Sequence, residues 1–207
     1  VNPEKITVTL ESADELPKGN EPVDELIGKK FIMYIGRPTP HKNLRRLIDA
    51  FALLQKKYPD LTLALAGKKD SNYARHETYV NEHGIKNVVF TGFISDEQLR
   101  WMYENTAVYC FPSLSEGFGL PGLEAMLHGA PVASSTATCL PETHGDAAHY
   151  FDPFSVEDIA KSIDDILSDD KLRNELVKKG KKHVKTFSWQ RMAEQTLAVY
   201  EKYGRKS

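Results

Sequence analysis

Only two cysteines, Cys110 and Cys139, occur in the 207 residues, and both sit in apolar contexts. Two cysteines build no disulfide framework, so reduced thiols and a cytoplasmic setting are expected. No apolar run approaches the about 18 residues that span a bilayer. The first 22 residues lack the basic-then-apolar order of a signal peptide. Repeats and low-complexity stretches are missing too. The chain contains no Asp-x-Asp, and its histidines, at 41, 76, 83, 128, 144, 149 and 183, show no ligand spacing. No bound metal and no cofactor are therefore expected. What is present fits a folded domain. Hydrophobic residues make up 41% and charged residues 27%, a balance unlike that of disordered chains. The length suffices for a core that needs no covalent staple.

The net charge of −2 excludes a general nucleic-acid binder but hides an asymmetry. Residues 1–28 hold seven acidic against two basic side chains; residues 171–207 hold eleven basic against three acidic. The basic stretch Lys178–Lys182 reads either as a solvated helical face or as a surface for an anionic membrane or acidic partner.

Short β-rich apolar runs recur at Phe31–Ile35, Leu61–Ala66, Val88–Thr91, Ala107–Phe111 and Pro131–Ser134, with a weaker one at His149–Phe151. Between them lie helical stripes, Leu44, Leu47, Ile48, Phe51 and Leu54 in one and Leu99, Met102 and Tyr103 in another. This rhythm of βαβ length predicts an α/β fold: a single Rossmann-like, doubly wound parallel sheet. After Val156 three helices are expected, over 156–168, 171–186 and 189–203. Ser155 and Ser188 are N-caps of the first and last, and Gly180 weakens the middle one. Residues 1–28 read as a lead-in and 29–207 as the domain.

Ligands of such sheets sit at the carboxyl ends of the strands. The first strand-to-helix turn, Gly36 to Asn43, has one glycine, so the dinucleotide fingerprint is absent and an NAD-binding domain is disfavoured. It places two cations, Arg37 and Lys42, before a helix, a setting for an anion such as phosphate. The fourth turn, PSLSEGFGLPGLEAM, has Pro121 suited to a first helical turn. Gly117 and Gly119 there let backbone amides approach a ligand. Glu124 leans back toward the opening where Glu116 lies. Carboxylates accept hydrogen bonds from vicinal hydroxyls. Phosphate on the cations and amides, with hydroxyls on the glutamates, describes a nucleotide-sugar.

Glu116 and Glu124 in this setting closely resemble the E-x7-E motif of the GT-B-fold retaining glycosyltransferases of family 4. YIGRPTPHKNLRRLIDAF resembles that family's donor-phosphate turn, and VVFTGFISDEQLRWMYENTAVYCFPS its strand and helix at the nucleotide base. CLPETHGDAAHYFDP and FSWQRMAEQTLAVY resemble its closing segments. The resemblance covers about residues 30–203. It implies that Arg37 and Lys42 hold the diphosphate, with Arg37, Lys42 and Glu116 as the catalytic set. Glu124 takes the ribose hydroxyls and Glu116 those of the sugar. Amides of Gly119 and Leu120 meet phosphate or sugar oxygens, Gly36 lies in the phosphate turn, and Gly92, Phe93 and Ile94 flank the base.

The resemblance further implies a C-terminal donor-binding half, with the acceptor-binding N-terminal domain as its missing partner. The expected donor is a nucleotide-sugar such as GDP-mannose or UDP-glucose, and the fragment alone is expected to be inactive. A non-catalytic nucleotide-sugar-binding or interaction module is the alternative. Trp189, Met192, Leu197 and Tyr200 are expected to complete this domain's own core; the other reading has them facing the absent domain.

Overall fold

The computed structural model describes residues 2–19 and 21–204. Val1 and Asn20 of the expected lead-in, and residues 205–207 of the basic tail, lie outside the described residues.

Six parallel strands stand where the apolar runs predict them: β1 Phe31–Ile35, β2 Thr62–Ala66, β3 Val88–Gly92, β4 Val108–Phe111, β5 Val132–Ser135 and β6 Ala148–Phe151. Their order is β3-β2-β1-β4-β5-β6. Helices α1 Leu44–Leu54, α2 Ser71–Glu82, α3 Asp96–Asn105, α4 Leu120–Leu127 and α5 Leu140–His144 follow the first five strands in turn. Alternation along each strand sends Ile32 and Tyr34 to one face, against Leu47 and Phe51. Phe31 and Met33 go to the other, against Met102 and Leu123. Both faces are buried, and each buried Leu or Phe side chain contributes on the order of 2 kcal/mol.

The chain reverses direction across the sheet between β3 and β4, so β1 and β4 become neighbours whose connections leave to opposite faces. A crevice opens there at the strands' carboxyl ends. The turns carrying Arg37 and Glu116 are the two that leave it.

Beyond the sheet come α6 Val156–Ser168, α7 Asp170–His183 and α8 Trp189–Gly204. Ser155 caps α6, its Oγ accepting from the Asp158 amide at 3.1 Å. Ser188 caps α8 through the Arg191 amide at 3.3 Å. α7 runs unbroken through Gly180. A Cβ there would stand 3.0 Å from Met126 Cγ and 3.1 Å from its Cβ, so the missing side chain is what lets α7 close onto α4. The expectation that α8 completes the core is corrected. Among its described residues α8 buries none, and Leu197 and Tyr200 are 56% and 70% exposed. Amphipathic spacing creates an apolar stripe; it does not supply a partner for it.

The lead-in lies on the domain. Val23 and Leu26 are core residues. The Leu16 amide donates to His128 Nε2 at 3.2 Å, while its carbonyl accepts from Arg100 Nη1 at 2.8 Å.

Candidate active site

The turn after β1 is shaped by two unusual backbones. Gly36 has φ 145°, and a Cβ on it would lie 2.9 Å from the Tyr34 hydroxyl oxygen. Asn43 is left-handed at φ 58°, a conformation that asparagine tolerates better than most residues. Its buried side-chain amide donates to the carbonyls of Pro112 at 2.9 Å and Pro153 at 2.8 Å. The first docks the turn on the loop that follows β4, the second on the segment that follows β6. The Leu114 amide adds a third, to the His41 carbonyl at 2.7 Å.

This docking brings Lys42 to Glu116, with Nζ 2.7 Å from Oε1 and the two side chains only 21% and 12% exposed. Arg37 is mostly exposed, and its Nε donates to Asp70 Oδ2 at 3.4 Å. Asp70 caps α2 through the amides of Asn72 and Tyr73, bonds that hold its carboxyl below the usual range. Gly36, Arg37, Asp70, Phe93, Ile94 and Asp96 line a cleft of about 570 Å³. Phe93 is 84% exposed beside it, an aromatic face open to a flat ring. Gly92, left-handed at φ 76°, ends β3 and turns the chain toward Phe93.

Helix α4 opens at Gly119, whose φ of 102° suits glycine alone. Among the described residues the amides of Gly119 and Leu120 donate to no protein group. They form the open positive end of a helix at the crevice. Beneath them lies His144, fully buried. Its Nε2 stands 3.2 Å from the Gly119 carbonyl, and its Nδ1 is 3.2 Å from Ser134 Oγ. A carbonyl only accepts, so Nε2 carries the proton and Nδ1 accepts from the serine. Burial lowers the His144 pKa to about 4, which keeps this tautomer neutral. The ring also explains Gly122: a Cβ there would be 2.2 Å from His144 Nε2.

Glu124 sits one turn further on, half-buried. Its Oε2 accepts from the Tyr103 hydroxyl at 3.3 Å. Burial pushes its carboxyl above the usual range, the Tyr103 bond opposes that, and Asp14 and Asp96 add to it. No cation compensates it among the described residues.

The structure therefore brings Gly36, Arg37, Phe93 and Ile94 to one cleft, and Lys42 and Glu116 to each other. Gly119 and Leu120 stand at a free helix end, and Glu124 rests on Tyr103. Sequence reasoning missed Asn43, Asp70, Tyr103, Thr138 and His144. Asn43 had a signal, an asparagine just before a helical stripe. Asp70 had one as well, as an aspartate at the N-cap of α2; the other three are recognisable only by what touches them. His144 was one of seven scattered histidines, and no motif in the sequence flanking Thr138, left-handed at φ 49°, singles it out.

The family described as glycosyl transferases group 1 matches residues 19–183. O-antigen chain mannosyltransferase B of Escherichia coli is 35% identical over 182 residues, 86% of this chain and 47% of that protein. An MMP alpha-(1->4)-mannosyltransferase of Mycolicibacterium hassiacum is 33% identical over 207 residues, 98% of this chain and 49% of that protein. The chain thus spans about half the length of these curated relatives. Sucrose-phosphate synthase from Thermosynechococcus elongatus shares the fold with TM-score 0.78 at 29% identity, over 87% of this chain and 47% of that one. The C-terminal domain of a group 1 glycosyl transferase from Francisella tularensis does so with TM-score 0.69 at 31% identity, covering 79% and 88%. With its doubly wound sheet and this match over most of its length, the chain belongs to the glycosyl transferases group 1 family.

Proposed function

We propose that this chain is the donor-binding half of a retaining, metal-independent glycosyltransferase that moves a hexose from a nucleotide-sugar to an acceptor hydroxyl. The observation that carries the reading is the Lys42–Glu116 pair beside the open amides of α4 at the β1/β4 crevice. That arrangement offers positive charge and hydrogen-bond donors to a diphosphate, and carboxylate oxygens to sugar hydroxyls, within one site. The cleft with Phe93 at its edge suits the base. Glu124, whose charge burial disfavours, gains from the two donors of a ribose diol.

When the bond between the sugar's anomeric carbon and the diphosphate oxygen breaks, its electron pair stays on the diphosphate. Arg37, Lys42 and the Gly119 and Leu120 amides face that growing charge, a preorganised stabilisation that replaces a divalent ion. The names of two relatives favour a mannose donor. Transfer needs the acceptor-binding partner domain, and the working place is the cytoplasm, with Lys178–Lys182 as the surface for any contact with the membrane face.

Calorimetric titration with GDP-mannose, UDP-glucose and ADP-glucose, each with and without EDTA, tests this reading. Expected is binding of one donor that ignores EDTA and is lost in Arg37→Ala and Glu124→Ala. Binding that needs a divalent ion, or a variant-insensitive site, would sink it.

A further inference from the structure

Glu116 lies in a stretch without regular secondary structure, between β4 and the first turn of α4. Nothing in its local sequence aims its side chain, so the aim must come from contacts. On the side chain the contact is Lys42 at 2.7 Å. On the main chain it is Thr138. The Glu116 amide donates to Thr138 Oγ1 at 3.1 Å, and the same hydroxyl donates to the Glu116 carbonyl at 3.2 Å. One hydroxyl both accepts and donates, and so holds both polar groups of a single residue. Cys139 Sγ donates to that carbonyl as well, at 3.3 Å. The same segment is moored one step back, where Ser135 Oγ donates to the Ser113 carbonyl at 2.6 Å.

Thr138 does this from a conformation that β-branched residues avoid. Its φ is 49°, in the left-handed region, where a threonine is a genuine outlier. Such a backbone persists only where the surroundings over-determine it, and it tends to mark a functional site. Here the left-handed turn presents Oγ1 to Glu116. A glycine would adopt the turn freely and offer no hydroxyl.

We infer that Thr138 is a positioning residue for the sugar-recognising carboxylate: its hydroxyl clamps the Glu116 main chain so that the side chain keeps its aim when a diphosphate draws Lys42 away. This rests on the reading of Glu116 as the group that meets the donor sugar. Lys42 serves two anions in turn, the Glu116 carboxylate in the empty site and the phosphate in the filled one. A carboxylate aimed only by Lys42 would lose its anchor on donor binding. The backbone clamp does not, because Thr138 carries no charge for phosphate to compete with.

The readout is the affinity advantage of a nucleotide-sugar over its bare diphosphate, measured calorimetrically for GDP-mannose against GDP and UDP-glucose against UDP. Thr138→Val keeps size and branching and removes the hydroxyl. It is expected to lower the advantage about tenfold while leaving diphosphate affinity unchanged. Thr138→Ser restores the hydroxyl and with it the advantage. Thr138→Gly relieves the left-handed backbone and is expected to match the valine variant, so a folding defect in the latter does not decide the matter. An unchanged advantage in both Thr138→Val and Thr138→Gly would overturn the inference alone. So would equal losses for sugar-nucleotide and diphosphate, the pattern of a merely structural role. If the wild type binds neither class of ligand, the functional reading falls and takes this inference with it.

Discussion

Glu116 and Glu124 are separated by seven residues, yet the protein prepares them by opposite means. The first lies in an irregular loop. Contacts from other segments hold it: Thr138 and Cys139 on the backbone, and Lys42 on the carboxylate. The second lies on a regular helix that fixes its backbone without outside help. Its carboxylate meets a phenol rather than a cation, and burial disfavours its charge. One carboxylate is compensated before any ligand arrives; the other is left short of partners until one does. A loop residue thus obtains its geometry from tertiary contacts, while a helical residue obtains geometry locally and gives up solvation.

Breaking what the two carboxylates share should cost most. Both depend on α4 beginning where it does, over His144. Gly122→Ala would drive a Cβ into that ring, since only 2.2 Å separates its position from Nε2. We expect a loss of about 3 kcal/mol in urea unfolding, at the upper end for overpacking, together with loss of donor binding. A wild-type-like midpoint would show that the His144 ring yields easily.

The next effect is on pH. His144 titrates near 4 in the folded protein against about 6.5 when unfolded, so below 6.5 the unfolded chain binds the extra proton. Stability should therefore be complete above pH 6.5 and fall by about 2–3 kcal/mol as pH drops toward 4. Unfolding of His144→Gln, which keeps a donor for the Gly119 carbonyl, should show a shallower slope over that window. Equal slopes would remove His144 as the cause.

Lys42→Met separates the carboxylates directly. It strands Glu116, 12% exposed, without its cation, and leaves Glu124 untouched. About 2 kcal/mol of stability should go, less than for a wholly buried pair, and donor affinity should fall at least about tenfold. Thermal unfolding paired with calorimetry reads both. Smallest is Glu124→Gln, where the two quantities should part company. Removing a charge that burial disfavours should raise the melting temperature at pH 7 by a few degrees at most, about what 1 kcal/mol gives a chain of this size. That gain should shrink as pH falls and Glu124 itself takes up a proton, while donor affinity at neutral pH should fall if Glu124 holds the ribose as proposed. A lower melting temperature would mean that the Tyr103 bond outweighs the desolvation.

Much of the sheet was readable before any coordinates. Continuous apolar runs such as Phe31–Ile35 are β-rich and too short for helices, and each recurs after a helical stripe. Six strands and their parallel sense follow from that rhythm. The packing use of Gly180 was missed and α8 was misread for related reasons. Propensity marks glycine as a helix breaker, but Met126 of another helix fills the space a side chain would need. Spacing marks Trp189, Met192 and Leu197 as one apolar stripe, but a stripe is a demand for a partner, and the partner is not in the residues that carry it.

The division in the site is similar. Residue chemistry determined which groups could serve: Arg37 and Lys42 for an anion, Gly119 for an open helix end, Glu116 and Glu124 for hydroxyls. Each of those follows from side-chain type and from position beside a strand or helix end, which are local properties. Tertiary structure alone decided that Lys42 meets Glu116 across 74 positions of chain, that Arg37 rests on Asp70, and that His144 and Thr138 support the helix end and the loop. Those pairings depend on strand order. β1 and β4 are neighbours only because the chain crosses back over the sheet after β3. Hydrogen bonds reach about 3 Å, so they report which segments the fold has brought together and leave no periodicity in either sequence.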